Sequence, residues 1–253
     1  MTPTFKMHGS KARTAPWLVN FFPQKFERWI EPFTGRGNVF FRTATSGLMF
    51  ESACLNDIGT HHFLMALRDH AGNFDFVDNA PIDKTLWKAW MEAPESPEKH
   101  LAESYVARFG DTFKMGPNTT CHRNGHSREN TIKRMKAARE LLNEKHAMIT
   151  NRDWEEFLKE IAPGINDVVY LDPPYDVKQS VHYAGINQDR FLSIVSELPS
   201  WVFISGYTSE RYEKALHGWN RETRVRASTG KRQTDGKKPK VEEVLWWRHP
   251  LTK

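Results

Sequence analysis

Val168-Val169-Tyr170-Leu171-Asp172-Pro173-Pro174-Tyr175 is the stretch on which the reading of this 253-residue chain turns. Its first four residues read as a short buried strand. The strand stops abruptly, because proline lacks a backbone N–H and biases the residue before it toward extended backbone. An acidic side chain is thereby left at the carboxyl end of a strand, which is where open α/β sheets bind their ligands. Two upstream stretches have the same form of strand, tight turn and loop. Arg28-Trp29-Ile30-Glu31-Pro32 runs into Phe33-Thr34-Gly35-Arg36-Gly37, and Met49 to Leu55 ends at Asn56-Asp57 before an apolar-patterned helix from about His61 to Arg68. A third candidate strand, Ala147 to Thr150, closes at Asp153-Trp154. Downstream, Asn187 suits the N-cap of a helix with Phe191, Leu192, Val195 and Leu198 on one face, and Trp201 to Ser205 reads as another buried strand. Val225 to Ala227 and Val241 to Trp247 read as antiparallel strands flanking a basic, glycine-containing stretch. This alternation predicts an α/β fold, a mostly parallel sheet with one antiparallel strand near the C-terminus.

Residues 72–145 differ in texture. Pro81, Pro94, Pro97, Gly110, Gly116, Pro117 and Gly125 punctuate short segments, while Ser127 to His146 places Ile132, Met135, Ala138 and Leu142 at near-helical spacing. We expect a mainly helical module (72–145) inserted into a sheet domain formed by 1–71 and 146–253. Ile132, Met135 and Leu142 are expected to be helix core.

No run of about 18 or more apolar residues occurs, and the N-terminus lacks the pattern of a secretory signal, so a cytoplasmic protein without a membrane partner is expected. Cys54 and Cys121, even with His122 and His126 near the latter, fall short of a structural zinc set. No metal is expected. The net charge is +5, and its distribution is uneven. Residues 221–240 hold eight Lys/Arg against Glu222 and Asp235, a local +6 that leaves the rest of the chain at −1. A polyanionic partner fits that concentration of charge.

The turn residues suggest a chemistry. An exocyclic aromatic amine is a poor nucleophile, because its lone pair is delocalised into the ring. Acceptors for its two N–H groups help the nitrogen pyramidalise. Asp172 can accept one and the Pro173 carbonyl the other, in a turn that Pro173 and Pro174 hold rigid, and Tyr175 offers a face on which a planar base stacks. In the second element, Gly35 and Gly37 allow close backbone approach to a ligand. Asp57, twenty residues beyond Gly37, suits a pair of ribose hydroxyls. The Asp153 carboxylate can take an adenine amino group while the Trp154 indole stacks on the ring, or Asp153 can simply cap a helix.

Taken together, these motifs resemble the Dam-type DNA N6-adenine methyltransferases, in the order where cofactor elements come first, then target recognition, then the catalytic tetrapeptide. The resemblance takes in Phe5-Lys6-Met7-His8-Gly9-Ser10-Lys11, where the family has Gly-Gly-Lys, and Glu31-Pro32-Phe33-Thr34-Gly35-Arg36-Gly37, with Arg36 where a small residue is more common. It extends to Ile204-Ser205-Gly206-Tyr207 and Val241-Glu242-Glu243-Val244-Leu245-Trp246. It implies a Rossmann-like fold that binds S-adenosyl-L-methionine and releases S-adenosyl-L-homocysteine. The implied cofactor residues are His8, Lys11, Phe33, Gly35, Gly37, Asp57, Asp153, Trp154 and Asp172, and the implied catalytic residues are Asp172, Pro173, Pro174 and Tyr175. It further implies double-stranded DNA as partner, base flipping, and a bacterial or bacteriophage type of protein, compatible with a monomer. Lys231, Arg232, Lys237 and Lys238 are expected to grip the strand. Arg123, Asn124, Arg128, Lys133 and Arg134 are candidates for phosphate or base-edge contacts. The same amine chemistry on RNA adenine or on cytosine N4 in DNA stays open, as does a non-catalytic DNA-binding protein with this fold.

Overall fold

Strand residues alternate between two hydrophobic clusters, and that alternation builds the molecule. Trp29, Leu55, Tyr170, Phe203 and Leu245 belong to one cluster, while their neighbours Ile30, Cys54, Val169, Ile204 and Trp246 belong to the other. A period of two with apolar side chains on both faces is the pattern of a sheet covered on both sides. The computed structural model describes residues 1–5, 9–75, 92, 94–106, 128–174, 185–227 and 240–251, with side chains described at all of these except 102–106, 128, 226 and 227.

The strands are β1 (Arg28–Glu31), β2 (Ser52–Asn56), β3 (Met148–Thr150), β4 (Val168–Leu171), β5 (Trp201–Tyr207), β6 (Asn220–Ala227) and β7 (Lys240–Arg248). They form a seven-stranded sheet in the order β3-β2-β1-β4-β5-β7-β6. Strands β1 to β5 pair in parallel, and β7 runs antiparallel to both β5 and β6. This is the expected Rossmann-like arrangement with one antiparallel strand near the C-terminus.

Among the described residues the helices are α1 (Ala15–Leu18), α2 (Asn38–Ala44), α3 (His61–Asp69), α4 (Pro97–Val106), α5 (Arg128–Glu144), α6 (Trp154–Ile161), α7 (Gln188–Glu197) and α8 (Glu210–Ala215). Buried residues of α1 to α5 join the first cluster and those of α6 to α8 join the second. The division follows from handedness: right-handed crossovers place helices on one face while the chain steps from β1 to β3, and on the other after it returns to β4. The reversal leaves a crevice at the carboxyl ends of β1 and β4.

Several boundaries differ from the sequence reading. Strand β2 begins at Ser52, three residues after the expected Met49. Met49 is 54% exposed and only bridges to Lys25, its N–H donating to the Gln24 carbonyl and its carbonyl accepting from Phe26 N. Helix α2 gave no sequence signal. It is buried at Asn38, Val39, Phe40, Phe41 and Thr43, so it has no amphipathic stripe, and it starts at a left-handed Gly37 without a side-chain cap. Fully buried Phe40 and Phe41 each contribute about 1.5–3 kcal/mol by leaving water. Helix α5 meets expectation at its core positions: Met135, Ala138 and Leu142 are fully buried, with Ile132 packed beside them. They join Leu101 of α4 in the same cluster as Trp29, so these two helices of the 72–145 range are anchored to the sheet core. Among the described residues no helix is long and apolar enough to cross a membrane.

Candidate active site

The four parallel strands β1 to β4 end in polar residues on the same side of the sheet. Strand β4 is buried at all four positions and delivers Asp172 directly at its end. The side chain of Asp172 remains 17% exposed and pairs at 2.9 Å with the Lys11 ammonium, itself 7% exposed. Ser205, on the neighbouring β5, donates to the same Asp172 Oδ1 at 3.1 Å, and the buried Tyr170 hydroxyl lies 2.7 Å from Ser205 Oγ. Burial alone would favour a neutral Lys11 amine. The Asp172 carboxylate, with Tyr170 and Glu243 adding to it, outweighs burial and holds the Lys11 pKa above its ordinary value.

Lys11 is fixed through its backbone. Asn38, at the start of α2, accepts from Phe5 N at 2.8 Å, donates to the Phe5 carbonyl at 2.7 Å, and donates to Ser10 Oγ at 3.0 Å. The Lys11 carbonyl accepts from Thr14 N and Ala15 N, which opens α1, and the Thr14 hydroxyl donates to the buried Glu243 of β7.

At the end of β1, Glu31 is 2% exposed and accepts from the Trp29 indole N–H at 2.9 Å. Burial pushes its carboxyl up to about 8; the indole N–H opposes this, while the charges of Asp172 and Asp57 add to it. The following loop turns through Gly35 at φ 52° and Gly37 at φ 73°, the left-handed region that only glycine adopts cheaply. A Cβ on Gly37 would also meet the Phe41 ring at 3.0 Å.

Asp57 closes this loop. Its Oδ2 accepts from Gly35 N at 2.9 Å, and its Oδ1 accepts from Gly59 N and Thr60 N, each at 2.8 Å. A carboxylate offers about four lone-pair sites, so three backbone donors still leave acceptor capacity. Beneath it, Asn56 binds at every polar atom of its amide. It donates to the Pro32 and Arg152 carbonyls, each at 3.0 Å, and accepts from Thr150 Oγ1 at 2.7 Å and Arg152 N at 2.8 Å. One buried amide thus ties together the ends of β1, β2 and β3.

Asp153 caps α6 by accepting from Glu155 N at 2.9 Å, and its side chain stays exposed. Trp154 is 8% exposed and packs against Phe191 at 5.4 Å and Phe33 at 6.3 Å, so its indole backs this corner from inside while Phe33 keeps the larger exposed surface.

The strand-end residues that the sequence singled out, Lys11, Phe33, Gly35, Gly37, Asp57, Asp153, Trp154 and Asp172 with Pro173 and Pro174, therefore line one end of the sheet. His8, Tyr175, Arg123, Asn124, Lys231, Arg232, Lys237 and Lys238 lie outside the described residues, as do Cys121, His122 and His126. Arg128 opens α5. Lys133, on the exposed side of α5, pairs with Glu129 at 2.8 Å, and Arg134 is half-buried. Sequence reasoning passed over Glu31, Asn38, Asn56, Tyr170, Gln188, Ser205 and Glu243 as site residues. The available signal was a polar or acidic residue inside an otherwise apolar strand, as in Trp201–Tyr207.

The chain matches the family described as D12 class N6 adenine-specific DNA methyltransferase over residues 8–81 and 90–194, more than half its length. Comparison with curated sequences gives no significant match. Solved structures resembling the chain include a candidate RNA methyltransferase from Pyrococcus horikoshii, at 11% identity and a TM-score of 0.45, covering 99% of this chain and 89% of that one. Another is a candidate methyltransferase from Streptococcus mutans solved with SAH, at 8% identity and a TM-score of 0.37, covering 93% of this chain and 96% of that one.

Proposed function

The chain belongs to the D12 class of N6 adenine-specific DNA methyltransferases, and from that premise we propose that it is a site-specific enzyme that flips an adenine out of double-stranded DNA and methylates its N6 amine at Asp172. The observation that carries this reading is the Asp172 carboxylate, partly exposed at the switch point of the sheet and held by Lys11 and Ser205.

The neighbouring strand ends fit S-adenosyl-L-methionine, which supplies a methyl group already activated by its sulfonium and leaves as S-adenosyl-L-homocysteine. Gly35 and Gly37 keep side chains clear of the loop, Asp57 has acceptor capacity for ribose hydroxyls, and exposed Asp153 with Phe33 and Trp154 suits an adenine. Glu31 adds a buried carboxyl beside a cationic ligand, and His8 and Lys11 belong to the same corner. On the substrate side, Asp172 and the Pro173 carbonyl accept the two amine N–H groups and strengthen their hold as charge develops on nitrogen. Pro174 stiffens the turn, and Tyr175 stacks on the base. Extruding a base costs a few kcal/mol, which stacking worth about 1–3 kcal/mol and phosphate contacts offset. Lys231, Arg232, Lys237 and Lys238 supply strand contacts. Residues 72–145 serve target recognition through Arg123, Asn124, Arg128, Lys133 and Arg134, while 1–71 and 146–253 make up the catalytic domain.

The test is incubation with labelled cofactor and, separately, duplex DNA and RNA, followed by digestion to nucleosides. N6-methyladenine from DNA is the expected product. Label confined to RNA, or found at cytosine N4, would overturn the substrate assignment, and an active Asp172→Ala enzyme would overturn the site.

A further inference from the structure

Two buried phenols reach the Asp172-Pro174 turn from opposite faces of the sheet. Tyr170 lies in the first cluster, stacked on Trp29 at 5.8 Å. Its hydroxyl meets Ser205 Oγ at 2.7 Å, and Ser205 donates to Asp172 Oδ1 at 3.1 Å. Tyr212 lies in the second cluster beside Trp246. Its hydroxyl donates to Gln188 Oε1 at 2.6 Å, and Gln188 Nε2 donates to the Pro174 carbonyl at 2.9 Å. Tyr170, Ser205, Gln188 and Tyr212 are 0%, 2%, 5% and 8% exposed.

Burial decides between two uses of such chains. A path that carried a proton away from Asp172 would need an end in water or at a base. Tyr170 is fully buried with its ring in an aromatic core, so no path to water runs through it. The polarity of this chain is fixed by inventory: an ionised Asp172 only accepts and Ser205 has a single O–H, so Tyr170 must donate to Ser205. In the other chain, the Pro174 carbonyl can only accept, so the Gln188 NH₂ end faces it, and the Oε1 end accepts from Tyr212.

We infer that Tyr170 with Ser205, and Tyr212 with Gln188, are two positioning chains that preorganise the methyl-transfer turn, the first fixing the rotation of the Asp172 carboxylate and the second fixing the Pro174 carbonyl. The inference rests on the reading of this turn as the reaction centre. Neither chain touches substrate. The first keeps the Asp172 acceptor in place before charge develops, and the second pins the residue that follows the Pro173 acceptor, so that the turn need not reorganise at the moment of reaction.

The test is a pair of double-mutant cycles on the full chain, reading kcat for methyl transfer to duplex DNA, Kd for the cofactor and Tm. Tyr170→Phe, Ser205→Ala, Tyr212→Phe and Gln188→Leu are each expected to lower kcat roughly three- to tenfold, the worth of one net hydrogen bond. Cofactor Kd is expected to stay at the wild-type value, and Ser205→Thr, which keeps the hydroxyl, to restore most of the rate. Tyr170→Phe should cost nothing further in the Ser205→Ala background, and Tyr212→Phe nothing further with Gln188→Leu. Across the two chains the losses should multiply.

Wild-type kcat in the single variants overturns the inference, and so does a tyrosine effect of equal size with and without its partner. If a deletion variant fails to fold, Tyr170→Phe and Tyr212→Phe, which keep their rings, decide the matter alone. A wild-type enzyme that methylates only another acceptor strikes the DNA-adenine reading instead, and the same cycles run on that acceptor. A wild-type protein that transfers no methyl group overturns both.

Discussion

The two central strands carry an ion pair at each end, and the two pairs are built differently. At their amino ends, Arg28 of β1 meets Asp167 just before β4. Its Nε reaches both carboxylate oxygens at 3.1 Å and Nη2 reaches Oδ2 at 2.6 Å. Two further guanidinium N–H groups donate to the Ile161 and Ala162 carbonyls, Gly164 N adds a further bond to Asp167, and the Asp167 side chain is 1% exposed. A planar fork has locked a carboxylate and sealed it. At the carboxyl ends, Lys11 places a compact charge against one oxygen of Asp172, which it shares with the Ser205 hydroxyl, and the Asp172 side chain stays 17% exposed. Arginine and lysine are not interchangeable in these roles. The first pair spends its carboxylate on the fold, whereas the second holds a carboxylate at the mouth of the crevice, where it can still meet a ligand.

The comparison breaks most directly at Asp172. Asp172→Ala is expected to lower kcat by about 10²–10³-fold or more, the usual loss when a preorganised electrostatic partner is removed, with cofactor Kd near wild type; it also lowers Tm, because the 7% exposed Lys11 ammonium loses the carboxylate that offsets its burial. At the other end, Asp167→Ala should cost stability and spare turnover. It leaves Arg28 unpaired and is expected to cost on the order of 2 kcal/mol in denaturant unfolding, with kcat unchanged well below Tm. A loss of turnover without a loss of stability in Asp167→Ala would dissolve the distinction between the two ends. Asp57 stands between these extremes, as it closes the glycine loop and is proposed to hold ribose. Asp57→Ala should raise the cofactor Kd by about tenfold or more, as read by isothermal titration.

Glu31 sharpens the comparison through pH. The folded carboxyl is held up to about 8 by burial, against an ordinary value of 4.5, so between those values the folded protein keeps a proton that the unfolded chain has lost. Rising pH therefore lowers stability across that window, and the contribution levels off above it. Urea unfolding from pH 5 to 8 should give a slope that Glu31→Gln flattens; equal slopes would show that Glu31 does not titrate there. The smallest effect belongs to the basic segment. Replacing Lys231 and Arg232 by alanine should reduce the salt slope of DNA binding by about 0.9 per lost phosphate contact, with little change in unfolding.

Where the pattern is local, it was legible. The strand ends at Glu31, Asn56 and Leu171, the Asn187 cap that accepts from Arg190 N, and the long helix through Met135 and Leu142 follow from turn chemistry and periodicity. The short helix α2 escaped because it is buried nearly all round. Asp153 was readable both as a helix cap and as a ligand for adenine; the fold uses its Oδ1 for the cap and leaves the side chain exposed.

The sequence by itself determined which residues sit at strand ends, because proline, glycine and alternation act over a few residues of backbone. It also carried the order of motifs that marks the family. Tertiary structure decided which distant side chains complete them: Lys11 beside Asp172, Ser205 between Asp172 and Tyr170, Gln188 under Pro174, and Asn56 across three strand ends. Those pairings depend on strand order and register. A serine in an apolar strand reads the same in sequence whether its neighbour is a leucine or an aspartate, and only the placement of β5 beside β4 sets Ser205 against the Asp172 carboxylate.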